Sequence, residues 1–203
     1  MMIRRLIQLF AGLALYGFSV SVMLEAGLGL EPWGVLNEGV TGKTPLSFGL
    51  VVCLIGALVL LLWIPLRQKP GVGTIANVIV IGLAVYATAP LIPDIDGSPL
   101  RVLFLVVGVL MNGLAGGLYI GAGLGPGPRD GLMTGLARRT GWPLRRVRTG
   151  IELTVLAAGV MLGGTVGVGT VVYALAIGPL VQAFLRRFAL PEPTPKATLA
   201  PVG

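Results

Sequence analysis

The sequence predicts an all-α membrane protein with six transmembrane helices, arranged as two inverted-topology three-span repeats. Three observations carry this expectation. The chain superimposes on itself at an offset of 96 residues without a gap: Arg5 meets Arg101, Gly12 meets Gly108, AGLG at 26–29 meets AGLG at 122–125, and GVGT at 71–74 meets GVGT at 167–170. A period this long is outside the range of solenoid units. Hydrophobic residues make up 55% of the chain and charged ones 11%, against roughly 25% charged in a soluble domain. Finally, the basic residues fall on opposite loops of the two copies.

Apolar stretches near the twenty or so residues that cross a bilayer lie at 6–24, 47–65, 74–92, 101–120, 148–164 and 170–187. The first follows Arg4 and Arg5 as a signal peptide would. It is long for one, lacks a small-x-small cleavage site, and matches an internal segment of the second copy, so it is expected to be retained. The fifth is the least apolar, with Arg148 at its start and Glu152 inside it. The expected division is 1–92 for the first repeat, 93–188 for the second, and a disordered proline-rich tail over 189–203.

The loops give the orientation. Arg4 and Arg5 precede the first span and Lys43 alone follows it; Arg67 and Lys69 follow the second. The acidic link PDIDGSP (93–99) follows the third. Arg129, Arg138, Arg139, Arg145, Arg146 and Arg148 follow the fourth, and Arg186 and Arg187 follow the sixth. With both termini cytoplasmic in a multi-pass cell-membrane protein, cytoplasmic loops hold the cations throughout. The AGLG loop carries one basic residue in copy one and, counting Arg148 at its border with the fifth span, six in copy two, whereas the GVGT loop carries two and then none. Three spans per copy would produce this reversal, and inverted repeats frame many secondary transporters. The net charge of +7 therefore sets topology. No aromatic-interleaved basic face suggests nucleic acid as a partner.

The residue inventory narrows the chemistry further. Histidine is absent, which removes the usual proton shuttle and the commonest metal ligand. The single Cys53 permits neither an internal disulfide nor a CxxC site. No enzyme activity, cofactor or metal is expected.

The AGLG loops, 25–46 and 121–147, open with glycine and proline and continue into apolar stretches (33–40 and 131–137) too short to span. That pattern fits a broken or re-entrant helix, which is tolerated at membrane depth where it is buried or lines a cavity. The candidate site lies between these loops. Gly123, Gly125, Pro126 and Pro128 shape the second, and Arg129 and Asp130 supply its charge. Asp130 has two accounts. It stands at the mouth of a central site beside a helix N-terminus that attracts anions, or it caps a short helix over 131–139 whose far end is matched by Arg138 and Arg139. The matching pair in copy one is Trp33–Gly34, so the charge is one-sided. The GVGT runs read as turns, with Thr74 and Thr170 capping the helices that follow.

Ionisable residues in a span are functional candidates because they are costly in lipid. Arg148 and Glu152 sit one turn apart, spaced for an ion pair that is either structural or part of a site. Asn77 and Asn112, in otherwise apolar spans, either bond between helices or line a permeation path. Glu25, Glu31 and Glu38 are expected at the outer interface. Trp33, Trp63 and Trp142 are expected in the aromatic belts. Gly113, Gly117 and Gly121 form a packing ridge toward a neighbour in this chain or in the second protomer of a possible homodimer.

With these residues in view, AGLGPGPRDGLM (122–133), VRTGIELTVLAAGVMLGGTVGVGTVVYALAIGPLVQ (147–182) and AGLGLEPWGVLNEG (26–39) resemble the YczE/YyaS/YitT family of bacterial integral membrane proteins. The likeness covers nearly the whole chain short of the tail. It implies a polytopic cytoplasmic-membrane protein and supplies no substrate. The family pattern in copy one resembles PWDVLH, whereas this chain has Pro32-Trp33-Gly34-Val35-Leu36-Asn37. A two-fold charge site elsewhere in the family would be halved here. The leading expectation is a small secondary transporter or facilitator of a small molecule or ion, embedded in the lipid bilayer. The alternative is a scaffold or regulatory membrane protein that moves nothing, and a polar cavity reaching Asp130 and Glu152 would separate the two.

Overall fold

The computed structural model describes residues 2–191, and every regular element among them is a helix. The first half contains α1 (Met2–Ala26), α2 (Pro32–Lys43), α3 (Phe48–Leu61) with its one-turn continuation α4 (Trp63–Leu66), and α5 (Val72–Thr88), which ends in a 3-10 turn at Ala89–Leu91. The second half repeats the order with α6 (Ser98–Gly121), α7 (Pro128–Thr140), α8 (Leu144–Met161) and α9 (Val168–Phe188).

Five helical segments are long and apolar enough to cross a membrane: Met2–Ala26, Phe48–Leu66, Val72–Leu91, Ser98–Gly121 and Val168–Phe188. The helix of the expected fifth span, α8, is not among them. Its 18 residues would suffice in length, but Arg145, Arg146, Arg148 and Glu152 fill its first half. By length and composition the described residues therefore hold five candidate spans.

Both AGLG loops contain a short helix. With 12 and 13 residues, α2 and α7 reach about 20 Å, short of the roughly 30 Å hydrocarbon core. Each begins with proline at its first position, where the missing N–H costs nothing and the ring pre-sets the helical φ. This moves the start of the second short helix. It begins at Pro128 with Gly127 as N-cap, so Asp130 lies in the first turn and is not the cap. The threonines also differ from expectation: Gly71 and Gly167 are the N-caps, and the Thr74 and Thr170 hydroxyls, three residues on, accept from the N-cap N–H groups.

Equivalent contacts recur at the 96-residue offset. The Gly73 N–H donates to the Leu124 carbonyl at 2.8 Å, and the Gly169 N–H donates to the Leu28 carbonyl at 2.7 Å. The Arg101 guanidinium donates to the Ile95 carbonyl, and the Arg5 guanidinium donates to the Pro191 carbonyl. Each AGLG loop is thus clamped by the GVGT turn of the other half. Glycine is required at the clamp: a Cβ on Gly71 would stand 2.6 Å from the Leu124 carbonyl oxygen, and one on Gly167 would overlap that of Leu28.

In the core, α1 packs on α5 and α6, α6 on α9, α2 on α8, and α3 on α5. The Gly113–Gly117–Gly121 ridge faces α9 of the same chain, since a Cβ at these positions would meet Leu180, Phe184 and Phe188. Only Trp142 is exposed as a belt residue would be; Trp33 and Trp63 are buried. The Trp63 ring fills the hole left by Gly131, and its indole N–H donates to the Pro128 carbonyl at 2.9 Å. At the positions 96 residues away the sizes are exchanged, because Gly159 lies against the backbone of Val35 and Leu36.

The expected tail begins in an ordered setting, where the Leu190 N–H donates to the Gly121 carbonyl at 2.9 Å. Residues 192–203 lie outside the described residues.

Candidate functional site

The N-termini of α2 and α7 approach each other beside a cavity of about 390 Å³. Its walls come from both halves, including the spanning helices α1, α3, α5, α6 and α9 as well as α8. That volume is within the range of small-ligand pockets, about 300–1,000 Å³.

Glu31, the N-cap residue of α2, has a side chain only 5% exposed and pairs with Arg129 in the first turn of α7, Oε1 to Nη1 at 3.3 Å. The same guanidinium lies over the Trp33 ring, 5.0 Å from its centroid. Asp130 accepts from the Tyr119 hydroxyl at 3.4 Å. Both carboxylates sit at helix N-termini, each worth about +0.5 of a charge, which offsets the net charge of one Arg and two acids. The pairing is therefore local and nearly neutral.

A second polar layer crosses the spans. The Tyr173 hydroxyl donates to Asn112 Oδ1 at 2.9 Å, and Asn112 Nδ2 donates to Ser19 Oγ at 2.8 Å. The Tyr16 and Tyr173 hydroxyls are 3.5 Å apart, and the Tyr16 ring meets Tyr119 edge-on at 6.2 Å. These bonds tie α1, α6 and α9 together at depth, where a polar group without a partner is costly. Asn77 and Asn112 both line the cavity, so Asn112 joins helices and faces the cavity at once.

At the rim, Arg148 Nε donates to Glu152 Oε1 at 3.1 Å, with side chains 59% and 35% exposed. Glu152 is thus a half-exposed member of an ion pair on the cavity wall. Gly123 (φ 64°) and Gly125 (φ 125°) supply left-handed turns, and Pro126 accepts from the Thr74 hydroxyl at 2.8 Å. These three shape the loop, whereas Pro128 also borders the cavity.

Sequence reasoning missed Glu31, expected at the interface with Glu25 and Glu38. Of the other two, Glu25 is half-buried, and Glu38 accepts from the Thr165 N–H at 2.7 Å in an exposed setting. The burial of Glu31 follows from its place at the N-terminus of α2, a helix packed against α8 and α3 with its first turn against that of α7. Tyr16 and Tyr173 belong to no motif and are not singled out by sequence reasoning either. The register contained a signal for them: Tyr16 is the partner of Asn112, and Tyr173 of Asn77, so both copies put a polar residue at each of these positions.

An all-helical chain with several apolar spans around a buried polar centre is a multi-pass integral membrane protein. The chain belongs to the family of unknown function DUF6198, whose model matches residues 3–186. It is similar to an uncharacterized protein of Haemophilus influenzae, 39% identical over 183 residues, covering 90% of this chain and 84% of that protein. It is also similar to the uncharacterized membrane protein YczE of Bacillus subtilis, 34% identical over 185 residues with the same coverage, as the sequence resemblance implied. No solved structure matches it.

Proposed function

We propose that this protein is a small secondary transporter or facilitator whose substrate binds where the N-termini of α2 and α7 meet. The observation that carries this reading is the cavity, which extends from buried Asn112 and Glu31 past half-buried Asp130 to the half-exposed Glu152. A scaffold that moves nothing would gain stability by filling such a space with apolar side chains, since buried polar groups are costly when unpartnered.

In this reading the halves are inverted repeats, and α8 makes the sixth crossing with both chain termini cytoplasmic. The reciprocal bonds from Gly73 to Leu124 and from Gly169 to Leu28 support it, as does the reversed distribution of basic residues between matching loops. Arg145 and Arg146 reach the cytoplasmic headgroups, and the Arg148–Glu152 pair faces the cavity mouth. Rocking of one half against the other then exposes the centre to each side in turn.

Thiol labelling tests this. In a Cys53→Ala background, Asn77→Cys is probed with a membrane-impermeant thiol reagent in right-side-out and inside-out vesicles. Labelling from both sides is the expected result. Labelling from one side only, or from neither, overturns alternating access to this cavity.

A further inference from the structure

The two halves of the chain differ in one packing arrangement. Helices α3 and α8 start at equivalent positions, Phe48 and Leu144, and so do α5 and α9, at Val72 and Val168. Yet α3 packs on α5, whereas α8 packs on α2 and makes no comparable contact with α9. The α3–α5 seam is close. A Cβ on Gly82 would overlap Cys53 Sγ, and one on Gly56 would stand 3.2 Å from the Val78 side chain. Cys53 Sγ also donates to the Ile79 carbonyl at 3.8 Å. In the second half a Cβ on Gly178, the equivalent of Gly82, would meet nothing within 4 Å. The space beside it is the cavity, bordered by Arg148 and Glu152 of α8 and by Ala174, Gly178 and Gln182 of α9.

The 96-residue register assigns what a closed α8–α9 seam would bring together. Gly82 and Cys53 correspond to Gly178 and Thr149, and Gly56 and Val78 correspond to Glu152 and Ala174. One member of each pair is small in both halves, which leaves room for the helices to approach. Hydrogen bonding supplies a second observation. Pro179 lies inside α9 and has no N–H, so the Leu175 carbonyl four residues earlier lacks its helical donor. Leu175 is the equivalent of Ile79, which accepts from Cys53, and Thr149 is the equivalent of Cys53. A threonine hydroxyl in that place would supply the missing donor, and a carbonyl without one is costly at membrane depth. The two seams are not identical. A Cβ on Gly49 would overlap the Gly82 carbonyl, and its equivalent is Arg145, so the first turn of α8 stays farther from α9.

We propose that the cleft between α8 and α9 is a gate on the central cavity, closed in a second state when α8 seats Thr149 on Gly178 and Glu152 on Ala174. The Thr149 hydroxyl then donates to the Leu175 carbonyl, and α9 receives the cover that α5 already has from α3. The turns on either side of α8 hold Gly141 at φ 72° and Gly163 at φ 96°, and a Cβ on either would meet no neighbour, so both can absorb the change. This gate rests on the transport reading above. In the orientation of that reading the α8–α9 cleft is cytoplasmic and the α3–α5 seam lies on the outer side, so the arrangement described is the inward-open one.

The test uses the full chain in membrane vesicles, in a Cys53→Ala background with Thr149→Cys and Gly178→Cys. A disulfide needs Cβ atoms about 3.8 Å apart, which the open cleft does not offer at Gly178. Mild oxidation should nonetheless join the two thiols within one chain, read as loss of both to a PEG-maleimide and recovery on reduction, while each single-cysteine variant labels fully throughout. If the double variant does not accumulate as monodisperse protein, Glu152→Cys with Ala174→Cys takes its place. No cross-link overturns the proposal and leaves the cleft fixed. A cross-link between two chains also overturns it and assigns the cleft to a second copy. In a separate arm, Gly178→Leu puts a side chain where Thr149 should seat and holds the gate open. With Cys53→Ala and Asn77→Cys, it should slow labelling from the outer side at least about tenfold and preserve labelling from the cytoplasmic side, as overpacking of one state shifts the population to the other. Unchanged labelling from the outer side overturns the gate. If Asn77→Cys labels from one side only even without Gly178→Leu, the transport reading fails, and the cross-link still reports whether α8 closes on α9.

Discussion

Arg129 and Trp33 occupy the same position in the two halves of the chain, 96 residues apart, and the guanidinium of one lies 5.0 Å above the ring of the other. Each is the second residue of a short helix that opens with proline. Equivalent positions of the two halves therefore meet at one point, one as a cation and the other as an aromatic face. A cation over an indole contributes about 0.5–1 kcal/mol when exposed and about 2 kcal/mol when desolvated, and Arg129, 31% exposed, stands between the two. The ion pair from Arg129 to Glu31 completes a three-residue contact that joins α2 to α7.

That contact predicts a non-additive pair of substitutions. Arg129→Gln leaves Glu31 buried without its counter-charge and should destabilise the protein by roughly 1–3 kcal/mol. The double variant Arg129→Gln/Glu31→Gln removes both charges and should be more stable than the single one. Thermal unfolding of the detergent-solubilised variants gives the order, and strict additivity would show that the two side chains do not interact.

The pair at the rim should behave differently. Arg148 and Glu152 are 59% and 35% exposed, and (i, i+4) pairs of this kind contribute about 0.3–0.5 kcal/mol. Glu152→Gln should therefore change the unfolding midpoint much less than Glu31→Gln does. The opposite order would mean that Glu152 is the buried partner and would move the site toward α8.

The two threonines of the GVGT turns offer a matched comparison. Both accept from their N-cap N–H groups, but Thr74 also donates to the Pro126 carbonyl at 2.8 Å. Thr74→Val should cost about 1 kcal/mol more than Thr170→Val, the value of one further hydrogen bond. Equal losses in thermal unfolding would argue against the Pro126 bond.

Gly131 is expected to tolerate no side chain. A Cβ there would overlap the Trp63 ring, so Gly131→Ala forces the indole out of its hole and away from Pro128. Overpacking of this kind costs about 1–3 kcal/mol. Adding Trp63→Leu should recover part of the loss, as measured by yield of monodisperse protein on size exclusion. No recovery would place the strain elsewhere.

The sequence by itself determined the helical class, the repeated order of elements and the short helices. Hydropathy and an uninterrupted register are properties of the chain read along its length, and Pro32 and Pro128 mark where the short helices begin. The charge of α8 was visible too, as Arg145, Arg146, Arg148 and Glu152. Only the tertiary structure decided which polar residues meet. Glu31, Glu25 and Glu38 look alike in sequence, but one is buried against Arg129 because the first turn of α2 meets that of α7, and another reaches Thr165. Trp33 and Trp63 resemble belt residues until Gly131 and Arg129 are seen beneath their rings. Burial is set by which helix packs where, and the contacts that set it, such as Gly73 with Leu124 and Gly169 with Leu28, join residues far apart in the chain. Local pattern carries no information about such partners, because the energy of a buried charge depends on what surrounds it in space.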